Sequence, residues 1–301
     1  MDLLSNRRSF LKSSVAALSA SSLQPFTPSA FQSKRPGMKK ALMFGMVEGN
    51  APLLEKFRML KAVGFDGVEM DSPGKFDVRE VLKARDATGL EIPGVVDSVH
   101  WKQTLSDPDP AVRTRGLEGL KTALRECKLY GGSSVLLVPA VVNKEVSYQD
   151  AYLRSQTEIR KVIPLAGELG VKIAIENVWN QFLLSPLEAA RFVDELNSPW
   201  VGWHLDVGNI INFGWPEQWI QVLGKRILKL HIKDFSRKKR DEEGLWAGFK
   251  VNLWEGDCDW PAVMKALDAA GYRGWGSAEL AGGGRERLKD ISERMDRIYN
   301  C

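Results

Sequence analysis

Four short apolar runs in this chain each end on a carboxylate or an imidazole: Ile173-Ala174-Ile175-Glu176, His204-Leu205-Asp206, Leu228-Lys229-Leu230-His231 and Ser277-Ala278-Glu279. Each residue has an ordinary reading when taken alone. His231 could be a hydrogen-bonded core histidine, Asp206 a helix cap, and Glu176 or Glu279 the partner of a buried lysine. Taken together they ask for more. Three carboxylates converging without a counter-charge repel one another and raise their own pKa values, a cost that a bound divalent cation removes. Two or three carboxylates with one imidazole and no thiolate form a hard, oxygen-rich set, which selects Mn²⁺ first, then Mg²⁺, with Co²⁺ or Zn²⁺ also compatible. The expectation is one divalent metal held by Glu176, Asp206, His231 and Glu279.

Such a set forms only if the fold brings the ends of these runs together. From Lys40 onward, short apolar runs alternate with helix-length amphipathic stretches, the rhythm of repeated βα units around a parallel sheet. Candidate strands fall at 41–46, 67–70, 92–99, 135–139, 172–177, 201–206, 227–232 and 274–279. The helices between them carry start signals: Asp109-Pro110 before Leu117, Leu120 and Leu124; Ser185-Pro186 with Glu188 as a capping box; Asp259 before Pro261. Gly89, Gly131, Gly170 and Gly271 stand where helices should stop. No Gly-x-Gly-x-x-Gly turn follows the first strand, so an open doubly wound sheet is the weaker alternative. The expected fold class is α/β, a (β/α)8 TIM barrel, whose active site lies at the carboxyl ends of the strands. The four residues above close successive strands there.

The bulk numbers agree. A chain of 301 residues exceeds the roughly 250 typical of such a barrel by a short appendage. Its 44% hydrophobic and 27% charged content is that of an ordinary globular protein. A net charge of +4, partly carried by the first forty residues, leaves no nucleic-acid footprint and favours a small-molecule partner. Cys127, Cys258 and Cys301 form no close-spaced pair, so neither a stapled fold nor a thiolate zinc site is indicated. No run approaches the roughly twenty apolar residues of a membrane span. At the start, Arg7-Arg8-Ser9-Phe10-Leu11-Lys12 precedes a mildly apolar Ser- and Ala-rich stretch. This resembles a bacterial twin-arginine signal and implies export to the periplasm. The division expected is a signal peptide over 1–30, a linker over 31–39 and the barrel over 40–301.

Ile175-Glu176-Asn177, Leu205-Asp206-Val207-Gly208-Asn209, His231-Ile232-Lys233-Asp234 and Trp254-Glu255-Gly256-Asp257-Cys258-Asp259-Trp260 together resemble the sugar isomerase/epimerase family with a xylose-isomerase-like barrel, which includes the ketose 3-epimerases. The resemblance implies that Glu176, Asp206, His231 and Glu279 hold one metal and that both glutamates exchange protons with substrate. It also implies that Arg237, six residues after the histidine, contacts substrate. The ketose 3-epimerases carry a substrate-contacting histidine three residues after the aspartate, where this chain has Asn209, so the identity of the sugar stays open. His100, Trp101, Glu69 and Lys233 are further candidates for substrate contact, against packing for Trp101 and a surface salt bridge for Glu69. Lys233 shares the face of His231 by the two-residue period, and His204 lies one layer below Asp206 as a core residue.

With a metal to stabilise the developing oxyanion, Glu176 and Glu279 could remove and return a proton next to a sugar carbonyl, which is epimerisation or isomerisation through an enediolate. If the neighbouring carbon bears a leaving group, the same step ends in elimination, the reaction of a 3-keto-glycoside lyase. A non-catalytic sugar-binding protein is a lesser alternative. A phosphodiesterase built on this barrel would need more histidines than the three present. Homo-oligomerisation is left open, since Trp215, Trp219, Trp246 and Trp254 could line a pocket, rim an interface or pack.

Overall fold

In a computed structural model, residues 36–301 are described; the signal peptide read over 1–30 lies outside them. Eight parallel strands follow one another around the molecule: β1 (Met38–Leu42), β2 (Met70–Ser72), β3 (Gly94–Asp97), β4 (Ser134–Leu137), β5 (Lys172–Glu176), β6 (Val201–Asp206), β7 (Ile227–Ile232) and β8 (Gly274–Ala278). Each of β2 to β7 pairs with its successor, and β8 returns to pair with β1. The remaining seam, between β1 and β2, closes on Glu69. Its N–H donates to Leu42 O at 2.8 Å and its carbonyl accepts from Phe44 N–H at 2.8 Å. The sheet is therefore a barrel, as the alternating rhythm implied.

Among the described residues ten α-helices cover it: α1 (Leu53–Ala62), α2 (Val78–Thr88), α3 (Pro110–Tyr130), α4 (Tyr148–Leu169), α5 (Pro186–Leu196), α6 (Val207–Ile211), α7 (Pro216–Leu223), α8 (Arg237–Glu243), α9 (Trp260–Ala269) and α10 (Arg285–Tyr299). Their boundaries follow local chemistry. Asp109 caps α3 by accepting from Ala111 N–H and Asp259 caps α9 through Ala262 N–H. Gly89, Gly131 and Gly170 end α2, α3 and α4 in the left-handed conformation that glycine adopts without a Cβ penalty. At α5, Ser185 accepts from Glu188 N–H, but the Glu188 carboxylate accepts from Leu184 N–H rather than from Ser185 N–H. The reciprocal cap is thus displaced by one residue.

Three strands depart most from their expected bounds, while β4 spans Ser134–Leu137 and β5 and β8 end one residue early. The first begins at Met38 and gives way to a 3₁₀ turn over Phe44–Met46, which the apolar run could not distinguish from strand. The second, expected over 67–70, joins its neighbours only by single bridges at Gly67 and Glu69 before β2 proper begins at Met70. The third shortens to Gly94–Asp97.

Past the end of β7, Asp234 organises the loop over 251–259. Its buried carboxylate accepts from Phe235 N–H at 2.9 Å, Trp254 N–H at 3.0 Å, Cys258 N–H at 3.2 Å and Trp260 Nε1–H at 3.2 Å. Gly256 passes so close that a Cβ there would stand 2.1 Å from Asp234 Oδ1. The aspartate of the His-Ile-Lys-Asp run and the later Trp-to-Trp run are therefore parts of one structure. Asp234→Ala leaves these donors without their acceptor, at a cost of about 3 kcal/mol. In a domain of this size that lowers the melting temperature by roughly 6–12 °C. Calorimetry checks it, with Asp234→Asn, which keeps one acceptor oxygen, expected to lose less.

Candidate active site

The inside of the barrel carries a polar column on β6 and β7. Lys229, His231 and Lys233 share one face of the strand by its two-residue period, as do His204 and Asp206 on β6. A bulge sets how these columns meet. Trp203 pairs with Ile227, but His204 pairs with Lys229 and Asp206 with His231, so one residue of β7 is passed over. Without that extra residue Asp206 would lie beside Leu230, and imidazole and carboxylate would face opposite sides of the sheet.

Glu176, Asp206, His231 and Glu279 converge, one ligand atom from each lying within 4.8 Å of all the others. His231 Nδ1 stands 2.7 Å from Glu176 Oε1, 3.3 Å from Glu279 Oε2 and 3.9 Å from Asp206 Oδ2. The other imidazole nitrogen, Nε2, lies 3.1 Å from Glu69 Oε2. With Nε2–H donating to Glu69, loss of the Nδ1 proton would leave that lone pair pointing at the three carboxylates. This is the arrangement in which a histidine serves as a metal ligand. Both ordinary and functional readings hold for Asp206, on separate oxygens. Its Oδ1 caps α6 by accepting from Asn209 N–H at 2.8 Å, while Oδ2, like Glu279 Oε2, is buried without a hydrogen bond of good geometry. The nearest cation to both is the Lys233 ammonium, 3.0 Å from Asp206 Oδ2 and 2.6 Å from Glu279 Oε2.

The electrostatics express this crowding. Burial pushes Glu176 up, and burial together with the charges of Glu279 and Glu176 pushes Asp206 up to about 7 despite Lys233. Burial acts against Glu279 too, but the charges of Lys233 and His231 overcome it and hold this carboxyl well below its usual range. Burial likewise disfavours charge on His231, and Glu279 and Glu176 outweigh it to raise the imidazole. Glu69 is buried, yet the hydrogen bond and charge of His231 hold it at about 2. A hard divalent ion takes oxygen-rich donor sets of this kind, and the four ligand atoms all lie within 4.8 Å of one another. The donor set fits such an ion, with Asp206 Oδ2 and Glu279 Oε2 paired only with the Lys233 ammonium.

Of the further candidates, Lys233 and Asn209 adjoin the cluster, Lys233 Nζ donating to Asn209 Oδ1 at 3.3 Å. Glu69 is 2% exposed and lies against His231 Nε2, so it does not make the surface salt bridge that was its ordinary reading. His204 is buried beneath, its ring 4.2 Å from that of His231, in agreement with a core placement. His100 is buried with Nδ1 accepting from Val138 N–H, and burial lowers it to about 4; the half-exposed Trp101 packs edge-on against it. Arg237 is held by the carbonyls of Ile211 and Gly214, its guanidinium over Trp215. It makes no contact with the acidic cluster.

Asn177 carries a role that its place in Ile-Glu-Asn did not disclose. Its Oδ1 accepts from Asp206 N–H and Trp203 Nε1–H, and its Nδ2 donates to Asp206 O, so it clamps the end of β5 to the end of β6. If Glu69 orients His231, Glu69→Ala weakens Mn²⁺ binding by about 10- to 100-fold, and excess metal restores activity. Titration calorimetry with Mn²⁺ decides this; unchanged affinity would show that His231 needs no such support.

Fold and site together define a (β/α)8 barrel with a candidate metal centre at the carboxyl ends of β5 to β8. A family model for the xylose isomerase-like TIM barrel matches residues 57–301, and this chain belongs to that family. L-ribulose-5-phosphate 3-epimerase UlaE of Salmonella paratyphi A is 25% identical over 254 residues, covering 79% of this chain and 86% of its own. Among solved structures, 3-keto-D-glucoside 4-epimerase YcjR from E. coli superposes with a TM-score of 0.73 at 19% identity, covering 88% of this chain and 100% of that one. An L-ribulose 3-epimerase gives 0.67 at 22% identity, over 86% of each chain. These structural likenesses speak for the fold.

Proposed function

We propose that this protein is a divalent-metal-dependent sugar epimerase or isomerase that moves a proton at the carbon next to a sugar carbonyl. The observation that carries this reading is the convergence of Glu176, Asp206, His231 and Glu279 at the mouth of the barrel; the epimerase relatives supply the substrate class. A divalent ion bound there, Mn²⁺ by preference for this donor set, would polarise the carbonyl and lower the cost of charge developing on its oxygen.

The chain's own residues supply the rest. Glu176 lies deep, its side chain 6% exposed, whereas that of Glu279 is 32% exposed. A sugar entering from solvent meets Glu279 first and Glu176 beyond it, which gives two carboxylates for proton removal and return. Lys233, beside Glu279, provides a positive charge where a substrate oxygen would develop negative charge. Asn177 and the Asn209 cap fix Asp206, and Glu69 fixes His231, so the site is assembled before substrate arrives.

The test is proton exchange: protein loaded with Mn²⁺ and then exchanged into diamagnetic Mg²⁺, incubated in D2O with free ketoses, a ketose phosphate and 3-keto-glycosides, and followed by NMR. Deuterium entering beside the carbonyl supports the reading, and the product separates epimerisation, isomerisation and elimination. No exchange in any substrate at stoichiometric metal rejects it in favour of a sugar-binding protein. Elimination from a 3-keto-glycoside is a second reading, favoured by the apolar cavity beside the cluster.

A further inference from the structure

We propose that the cavity between the loop after β5 and the segment over 245–249 is a subsite for an apolar, ring-sized aglycone, so that the substrate is a glycoside. This rests on the sugar-site reading above and extends it. The cavity, about 270 Å³, has Asn209 and Asn177 in its lining, and both adjoin the acidic cluster. Asn209 N–H donates to Asp206 Oδ1, and Asn177 follows Glu176 in the chain. A second path of contacts runs alongside. Lys233 Nζ, 2.6 Å from Glu279, lies 5.0 Å from the centre of the Phe249 ring. The Phe249 ring packs against Trp179 at 4.9 Å, and Trp179 against Trp246 at 5.0 Å. The cavity and the cluster are therefore neighbours, separated by Asn177, Asn209 and the Phe249 ring.

Its lining selects the ligand. Trp179, Leu183, Leu184, Phe213 and Trp246 supply its apolar wall, and no lysine, arginine or histidine lines it. A phosphate desolvated there would have no cationic partner, whereas an aromatic or aliphatic ring would find flat apolar faces. The exposure pattern points the same way. Among the described residues nine large hydrophobic side chains are exposed, and four of them, Leu184, Phe213, Leu245 and Trp246, surround this one cavity. Apolar side chains left in water around one concavity beside a polar site are the mark of a ligand groove. The loop after β5 also holds Gln181 and Leu183 at φ 56° and 52°, a conformation costly for side chains other than glycine. Such strain concentrates where a binding surface must be shaped.

The experiment measures equilibrium binding, not turnover. Metal-loaded protein is titrated calorimetrically with para-nitrophenyl glucoside, methyl glucoside and inorganic phosphate, none of which carries a reacting carbonyl. The aryl glycoside should bind at least about tenfold more tightly than the methyl glycoside, the gain expected from covering one ring, and phosphate should not compete with it. Trp246→Ala, a change at a side chain 67% exposed, should abolish that gain while leaving the melting temperature within about 2 °C and the affinity for methyl glucoside within about twofold of the parent. Equal affinity for aryl and methyl glycosides overturns the proposal, as does an aryl gain that survives both Trp246→Ala and Leu184→Asp. Deuterium exchange with free ketoses but no aryl preference would remove the subsite and leave the epimerase reading standing. Aryl preference with no exchange in any substrate would do the reverse.

Discussion

Glu279→Gln will exchange substrate protons with solvent about a thousandfold more slowly than the parent protein, and Glu176→Gln will do the same at saturating metal. The amide keeps the shape of the carboxylate and cannot take the proton. The two variants should part company in metal affinity. Glu176 lies deep against His231, with 2.7 Å between Oε1 and Nδ1, so its neutralisation removes a charge from a buried part of the cluster. Glu279 is the more open of the pair and already shares its charge with Lys233. Exchange followed in D2O across a range of Mn²⁺ concentrations therefore separates loss of the proton acceptor from loss of the ion. A rate within tenfold of the parent in both variants would dismiss this pair as the proton-exchanging groups and leave them as ligands only.

Added Mn²⁺ at about a thousandfold excess over its Kd stabilises the folded protein by about 4 kcal/mol, because the ion binds an assembled site that the unfolded chain lacks. For a barrel of this size that raises the melting temperature by roughly 8–16 °C. The free energy needed to move the Lys233 ammonium away from Asp206 and Glu279 is already contained in the measured Kd, so it does not reduce the shift further. Chelation should reverse the change, and Asp206→Ala, which removes both the α6 cap and one ligand, should weaken it. Differential scanning calorimetry with Mn²⁺, Mg²⁺, Co²⁺ and Zn²⁺ reads the effect. A melting temperature that none of the four moves would mean that the cluster is neutralised by Lys233 and His231 alone, and the metal-dependent reading would fall.

Lys233 illustrates the division between what spacing reveals and what it does not. The two-residue period places it on the face of His231, but only the folded barrel brings its ammonium between Asp206 and Glu279. Glu69 is the opposite case. Its type and its place near the end of a strand suggested a polar contact, and the structure turns that contact inward, onto His231 Nε2 across the barrel. No local pattern separates a carboxylate that faces substrate from one that steadies a ligand from behind, because both stand near strand ends and both are acidic.

The sequence by itself determined the barrel and four ligand-type residues at its carboxyl end, since both depend on local order: apolar runs alternating with capped helices, and a charged residue closing each of four successive strands. It also marked the stops at Gly89, Gly131 and Gly170, where a positive φ demands glycine. Everything that depends on which strand meets which, and in what register, was decided by tertiary structure. The bulge that sets Asp206 beside His231, the Asn177 clamp between β5 and β6, the Asp234 hub under the late loop and the apolar cavity beside the acids all join residues far apart in the chain. Their contacts arise from closing the sheet on itself and packing its loops, and a linear pattern records which face a side chain takes but not what stands across from it.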